Sequence, residues 1–585
     1  MLRRSWAWRV GPVEVTRITS KLPHFDVCVI GGGPGGVAAA LRAVDYNKRV
    51  CLVEAKRIGG ADLWDGTLQS QTLWEMSKYT SFLSAPVARR MFDDDVVQGL
   101  QGKISDARVQ QTLQSVSEVR EQQVVGGLRS AGVTLVFGKG IFSSPHELDV
   151  HSTATGEYNV IHADYFIVAT GGVPHKYFHI TVDGKRIVTT DTIMRLPIPS
   201  SLVIVGAGAV GCEFASIFAR LGRTKVSLLD HTPRILPMED EDISQYVEDQ
   251  LVRLGVTIYH NCTLFDLESW GDKGEVGGCI YSIRQSEAGV AKHVETHEAE
   301  RALICVGRVP NIVGLGLENT LCKVTDGRLG VDAFNRCLPH KHIYAIGDVC
   351  DRRSLVNLAE AQGRGSIDHI YSEKPARPVN AKELKNLSTI LFLGEELARV
   401  GLNEQQCRAS GMGYIVAHYG YGHLSRALAM GNTTGFCKVI VTNDREKRLL
   451  GVRAFGPHAG SIIEVASLSI LRSDSVYELL NLTASYPSVV QGFVECICMI
   501  LGRSSLKPNT TPDATLKVWH PPHFSRGREY IGEFDDEASA LHSDEVDMAK
   551  MHLGVINDLL EERAGGAGKR ASTDRNYYSA TSTST

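Results

Sequence analysis

Six glycines in two matching spacings carry the most legible chemistry. Gly31, Gly33 and Gly36 fit G-x-G-x-x-G, and Gly206, Gly208 and Gly211 fit it again. A short apolar run precedes each set, Val27 to Ile30 and Leu202 to Val205, and a helical stretch follows. A second apolar run then ends on an acid: Val50 to Val53 on Glu54, Val226 to Leu229 on Asp230. In such a turn the first glycine permits the tight bend. The second lets backbone N–H groups approach a pyrophosphate, and the third lets helix and strand pack closely. The terminal acid accepts from a ribose hydroxyl. One isolated motif fits an ordinary glycine-rich turn equally well; the full order of strand, turn, helix, strand and acid favours a dinucleotide. Two full sets imply two dinucleotides. An acid at Asp230 bonds a 2′-OH and repels a 2′-phosphate, which favours NAD(H) over NADP(H). His231 and Arg234 lie close enough to soften that preference.

Other elements must position these turns. Tyr165 to Val168 reads as a buried strand running into Thr170-Gly171-Gly172. Leu303 to Val306 reads as a strand before the turn Gly307-Arg308-Val309-Pro310-Asn311. His342 to Ile346 is a strand ending in Gly347-Asp348, where a carboxylate reaches a cofactor hydroxyl, and Leu355 to Gly365 is a helix. Residues 75–131 look mainly helical. A later unit, 383–503, has strands at Ser388–Leu393 and Lys438–Val441 and apolar helices at Ser461–Arg472 and Val489–Ile500.

The chain has 585 residues, room for three or four domains. It is 43% hydrophobic and 22% charged with net charge −4, so no basic field points to nucleic acid. No apolar run is long enough to span a membrane. The 13 Cys sit mostly in apolar stretches, which reads as buried thiols in a reducing compartment. Residues 1–22 hold five basic residues against Glu14, with Trp6 and Trp8 interleaved. That start resembles a mitochondrial presequence and leads us to expect the mitochondrial matrix; a plain basic tail is the alternative. Beyond Ser504, prolines break any helix, Glu533 to Arg563 reads as an acidic amphipathic helix, and Ala564 to Thr585 as disordered. That tail docks on its own body or serves a mitochondrial protein partner.

Two nucleotide fingerprints, A-T-G, G-R-x-P-N and a late I-G-D, in this order, resemble the class I pyridine nucleotide-disulfide oxidoreductases, which include dihydrolipoamide dehydrogenase, glutathione reductase and the soluble pyridine nucleotide transhydrogenase. The resemblance covers about residues 24–503. It implies an α/β fold with two Rossmann-like domains and an α+β C-terminal dimerisation domain. The expected division is an FAD domain over 23–185 and 313–375, an NAD(P) domain over 186–312, the interface domain over 383–503 and a tail over 504–585. The resemblance implies FAD on Gly31, Gly33, Gly36, Glu54 and Asp348. It implies NAD(P) on Gly206, Gly208, Gly211 and Asp230, further cofactor contacts at Thr170, Gly171 and Gly307, and a homodimer.

The departures from that family are informative. Its redox pair, C-x-x-x-x-C after Gly-Gly, is replaced at Asp62 and Thr67, neither of which can form a disulfide. Its Lys four positions later is Gln71, so the helix Glu matching Glu213 has lost its cation. Its His-Pro-Thr-x-x-Glu becomes Tyr486-Pro487-Ser488-Val489-Val490-Gln491. Tyr486 is a poor base near neutral pH, and Gln491 holds no charge. The transhydrogenase is similar in its Thr and Tyr-Pro and along Gly208 to Phe218 and His423 to Ala427. It keeps the first Cys, the Lys and the late Glu. The reading favoured by intact dinucleotide turns is an FAD-dependent NAD(P)H oxidoreductase, transhydrogenase- or diaphorase-like, without dithiol chemistry. The alternatives are a catalytically silent FAD-binding subunit of a mitochondrial assembly and, by overall similarity alone, a dihydrolipoyl dehydrogenase.

Overall fold

Strands that alternate with helices and are apolar along most of their length belong in a parallel sheet covered on both faces. The computed structural model describes residues 23–521, apart from 85–87, 89–90, 101–102, 153–157, 176–179, 272–276, 288–289 and 380–383. The expected leader 1–22, the acidic helix and the C-terminal stretch lie outside the described residues.

The first parallel sheet runs Thr134–Phe137, Val50–Glu54, Phe25–Ile30, Tyr158–Val168, and Ile343–Ala345 joins the last of these. Cys28 pairs in register with Cys51 on one side and Phe166 on the other. The late strand, about 180 residues further on, thus completes the sheet, so this domain is built from two separate stretches of chain. An antiparallel ribbon, Lys139–Ser144 with Glu147–His151, extends from Tyr158–Val168. Helix α1 (Pro34–Asp45), α2 (Gly60–Trp64), α3 (Thr67–Ser84) and α4 (Asp106–Ser130) fill the crossovers. Each buried aliphatic side chain here, such as Leu52 or Ile167, contributes about 1.5–3 kcal/mol.

The second unit repeats the plan. Its parallel order is Thr257–Tyr259, Lys225–Leu229, Ser201–Val205, Arg301–Ile304, Ile187–Thr189, with α5 (Ala209–Arg220) after the central strand. A three-stranded antiparallel meander, Cys262–Trp270, Gly278–Glu287 and Val290–Ala299, covers it. Helix α6 (Val356–Tyr371) returns to the first domain and crosses α1 at Gly35 and Gly363. A Cβ added to Gly363 would stand 2.4 Å from the Gly35 carbonyl, so only glycine permits this approach.

The third unit is antiparallel, in the order Thr389–Phe392, Glu396–Gly401, Leu449–Gly456, Phe436–Thr442, Tyr414–Gly420, Ala514–Trp519. Helices α7 (Ala459–Arg472) and α8 (Val490–Ile500) pack on it through Ile463, Phe493 and Ile497. The sixth strand lies beyond residue 503, where the sequence reading closes this unit. Prolines at 508 and 512 mask it: they forbid a helix, and the strand begins only after the second. Trp519 then stacks on Tyr414 at 5.5 Å.

Buried charges join the second and third units. Lys438, 1% exposed, places its ammonium 3.0 Å from Asp240, 2.8 Å from Asp242 and 2.6 Å from Glu404. These carboxylates lie close enough together to hold a metal ion. The lysine already supplies the cation at their centre. Buried Glu239 pairs likewise with Arg453 at 3.1 Å and with Arg399. Removing one member of such a group leaves an uncompensated buried charge, at about 3–5 kcal/mol.

Candidate active site

The two glycine turns are built alike. Gly31 and Gly206 both take positive φ, +109° and +103°. An added Cβ would meet Ala169 O at 2.4 Å in one and Cys305 O at 2.5 Å in the other. Gly36 and Gly211 sit so close to the preceding turn that a Cβ would fall 2.0 Å from Gly31 O and 1.8 Å from Gly206 O. Gly33 and Gly208, by contrast, face open space. Each is the N-cap of its helix, with no side chain capping it. The first N–H groups of α1 and α5 therefore point into space lined by backbone donors, which fits a diphosphate.

The acids at the strand ends first serve the turns. Glu54 Oε2 accepts from Gly32 N at 2.7 Å and Oε1 from Lys56 N at 2.7 Å. Asp230 Oδ2 accepts from Ala207 N, and Oδ1 from Thr232 N at 2.8 Å and Thr232 Oγ1 at 2.7 Å. Asp230 is 6% exposed, so its reach toward a ribose is shorter than that of half-buried Glu54. Arg234 does not face outward to soften the nucleotide preference. Its Nη2 donates to Pro237 O at 2.8 Å and Glu239 O at 3.0 Å. His231 lies 3.4 Å from Asp230.

A third wall comes from two loops zipped together. Thr170 Oγ1 donates to Asn311 O at 2.8 Å, and Asn311 N to Gly171 O at 2.9 Å. Arg308–Pro310 pairs antiparallel with Gly172–Pro174, and Gly171 and Gly307 both take positive φ to allow the bends. Arg308 donates to Gly172 O at 2.6 Å and to Asp191 at 2.9 Å. Asp348 lies against this ribbon: a Cβ on Gly172 would meet its carboxylate at 2.9 Å. Burial raises the Asp348 carboxyl above the usual range, against the pull of Arg308. Gln362 of α6 holds the same loop by accepting from Gly347 N at 2.7 Å.

The substituted redox positions adjoin the first turn. Gly59 N donates to Gly32 O at 2.8 Å, and Gly60 lies so close that its Cβ would stand 3.1 Å from Gly33 Cα. Asp62 is in the first turn of α2, and Thr67 opens α3. Burial and the nearby Glu360 carboxylate raise Asp62, which Thr67 and Arg120 oppose. Gln71 is half-buried one turn further along α3. Glu213, on α5, accepts instead from Phe392 N at 2.7 Å. The Phe392 ring meets Trp74 of α3 edge-on at 5.0 Å. Desolvation pushes the Glu213 carboxyl up to about 7, with only that amide opposing it. Tyr486 is 73% exposed and donates to Ser425 at 3.1 Å, while Gln491 is half-buried in α8.

The family model described as pyridine nucleotide-disulphide oxidoreductase matches residues 25–363, and its dimerisation domain matches residues 387–497. The chain belongs to the pyridine nucleotide-disulphide oxidoreductase family. Members are FAD-dependent NAD(P)H oxidoreductases. A dihydrolipoyl dehydrogenase of Zymomonas mobilis is 29% identical over 82% of this chain and 99% of its own. A soluble pyridine nucleotide transhydrogenase of Chromohalobacter salexigens is 30% identical over 80% of this chain and 96% of its own. The crystal structure of LpdA from Mycobacterium tuberculosis superposes with a TM-score of 0.71 at 26% identity, covering 81% of this chain and 99% of that one.

Both glycine turns and their terminal acids stand where the sequence reading put them, and positions 62 and 67 hold Asp and Thr. That reading missed Phe392, Gln362, Asp191 and the anchoring role of Arg308. Only the Arg308 position carried a signal, through its place in G-R-x-P-N.

Proposed function

We propose that this chain is an FAD-dependent NADH oxidoreductase that needs no dithiol, with a second nicotinamide, a quinone or a dye-like molecule as acceptor. The single observation that carries it is two open, uncapped glycine turns in a chain whose expected cysteine positions hold Asp62 and Thr67. FAD held at the Gly31–Gly36 turn and α1 would supply two-electron hydride chemistry between reduced nicotinamide and the acceptor. The chain's own residues bind the two dinucleotides through α1 and α5 and orient them through Asp348 and Asp230. The inward Arg234 and the anionic Asp230 support a preference for NADH over NADPH. The dimerisation domain supports a homodimer, and the basic start of the sequence supports the mitochondrial matrix and, through the tail, a mitochondrial protein partner.

Anaerobic reduction followed by stopped-flow absorbance tests this. NADH should bleach the flavin without a long-wavelength thiolate charge-transfer band. That band would overturn the reading, because another Cys would then serve the flavin. Bleaching by dithionite alone would favour the second reading, a silent FAD-binding subunit. Glu213 without a cation, Tyr486 and Gln491 support that alternative.

A further inference from the structure

The chain's thirteen cysteines are all free, and two of them meet where no nucleotide chemistry needs them. Cys322 and Cys337 flank a surface hairpin, Val324–Thr325 paired with Arg328–Leu329. Lys323 N donates to Leu338 O at 3.0 Å, and Gly330 N to Lys323 O at 2.9 Å. This register, with Val331 bridged to Cys337, brings the Cys322 and Cys337 segments together, and both side chains lie in one buried apolar cluster. We propose that Cys322 and Cys337 are a redox-active dithiol that a hydroperoxide converts to a reversible disulfide, on a different segment from the lost pair at positions 62 and 67.

Two other cysteine pairs are neighbours. Cys28 and Cys51 stand in register on adjacent central strands, and Cys496 Sγ donates to Cys437 O at 3.3 Å; these four are 0% exposed, as is Cys337, so of the three pairs only 322–337 has a member, Cys322, with any exposure. Burial pushes Cys28 and Cys496 up, away from the reactive thiolate. Cys322 is 8% exposed, between Leu321 and Lys323, which are both open to solvent. Hydrogen bonds with Cys337 and Thr320 and the nearby His340 bring its thiol down to about 6 despite burial. The reaction balances with one hydroperoxide. The Cys322 thiolate attacks an oxygen, the O–O bond breaks, and the departing alkoxide takes the proton that Cys322 released, giving an alcohol. The Cys337 sulfur then attacks the sulfenic sulfur. The S–S bond forms, and hydroxide leaves with the Cys337 proton as water. The bridge closes the segment that carries Arg328, whose Nη1 donates to Asp348 O at 2.8 Å and Asp351 O at 2.6 Å. Oxidation therefore fastens the hairpin that braces the Asp348 loop.

The test uses the full-length protein, reduced and then treated with a small excess of hydrogen peroxide, alkylated and digested for mass spectrometry. The expected result is one cross-linked peptide pair joining residues 322 and 337, with two thiols lost and both restored by dithiothreitol. Cys322→Ser should remove the cross-link and slow peroxide consumption at least tenfold, while Cys28→Ala leaves both unchanged. A bridge at other cysteines, equal thiol loss in Cys322→Ser, or oxidation of Cys322 to sulfinic acid without a bridge would overturn the proposal. The mapping on unmutated protein decides the matter even where a variant fails to fold.

Discussion

The turn at Gly31 and the turn at Gly206 differ in one respect. Their first glycines have nearly the same φ and corresponding carbonyl neighbours, and their second positions are equally open. Their acids differ by one methylene. Glu54 stays half-buried with each oxygen taking one backbone N–H, whereas Asp230 is buried and three donors occupy its carboxylate. Backbone geometry leaves glycine no substitute, so the turn is copied faithfully. The length of a side chain is free to vary, and it sets how much of the acid remains for a ribose. The redox face shows the same division. Backbone geometry demands glycine at the Gly59–Gly60 bend, while the side chains that follow it, Asp62 and Thr67, are free to vary.

The largest effect should come from the third glycines. Gly36→Val or Gly211→Val drives a branched side chain into backbone carbonyls and should cost about 3 kcal/mol or more. Thermal unfolding or loss of soluble protein would show it. Gly33→Asp should spare the fold and give colourless protein, because its Cβ meets only open space and its carboxylate opposes a pyrophosphate. A folded, yellow Gly33→Asp protein would break the assignment of the first turn to FAD.

Next is Glu213. Its carboxyl titrates near 7 when folded, against an ordinary value of 4.5. The folded state therefore holds the proton more tightly. The stability this contributes is fully present below about pH 4.5 and is lost as pH rises through about 7, up to roughly 3 kcal/mol. Glu213→Gln should remove that slope, gaining on the unmutated protein at pH 8 relative to pH 5 in urea titrations. Gln71→Lys should restore a cation near α5 and shrink the same slope.

Asp230→Ala should lower NADH affinity and erase its advantage over NADPH, by about 1.5–3 kcal/mol for a charge-assisted hydrogen bond. Isothermal titration with both nucleotides measures it. Equal affinities in the unmutated protein would mean that the buried carboxylate never reaches the ribose, which would sharpen the contrast with Glu54. The smallest effect belongs to Tyr486→His. At so exposed a position it should move stability by less than about 0.5 kcal/mol. It should also leave lipoamide-dependent NADH oxidation at background, since no thiol stands at position 62 or 67.

The sequence alone determined the two glycine turns, the late strand at Ile343, and the absence of cysteine at positions 62 and 67. Each is written in neighbouring residues: a glycine spacing, an apolar run of strand length, an aspartate and a threonine. Tertiary structure decided which partners the polar groups took. Glu213 found an amide 179 residues away, Arg234 turned to carbonyls of its own loop, Asp230 sank beneath the turn it serves, and a strand after Pro512 closed the third sheet. Periodicity and turn chemistry act over a few residues and so can be read along the chain. A hydrogen bond between distant segments depends on how the domains pack, and burial then sets the strength of that bond and the charge of the group that makes it.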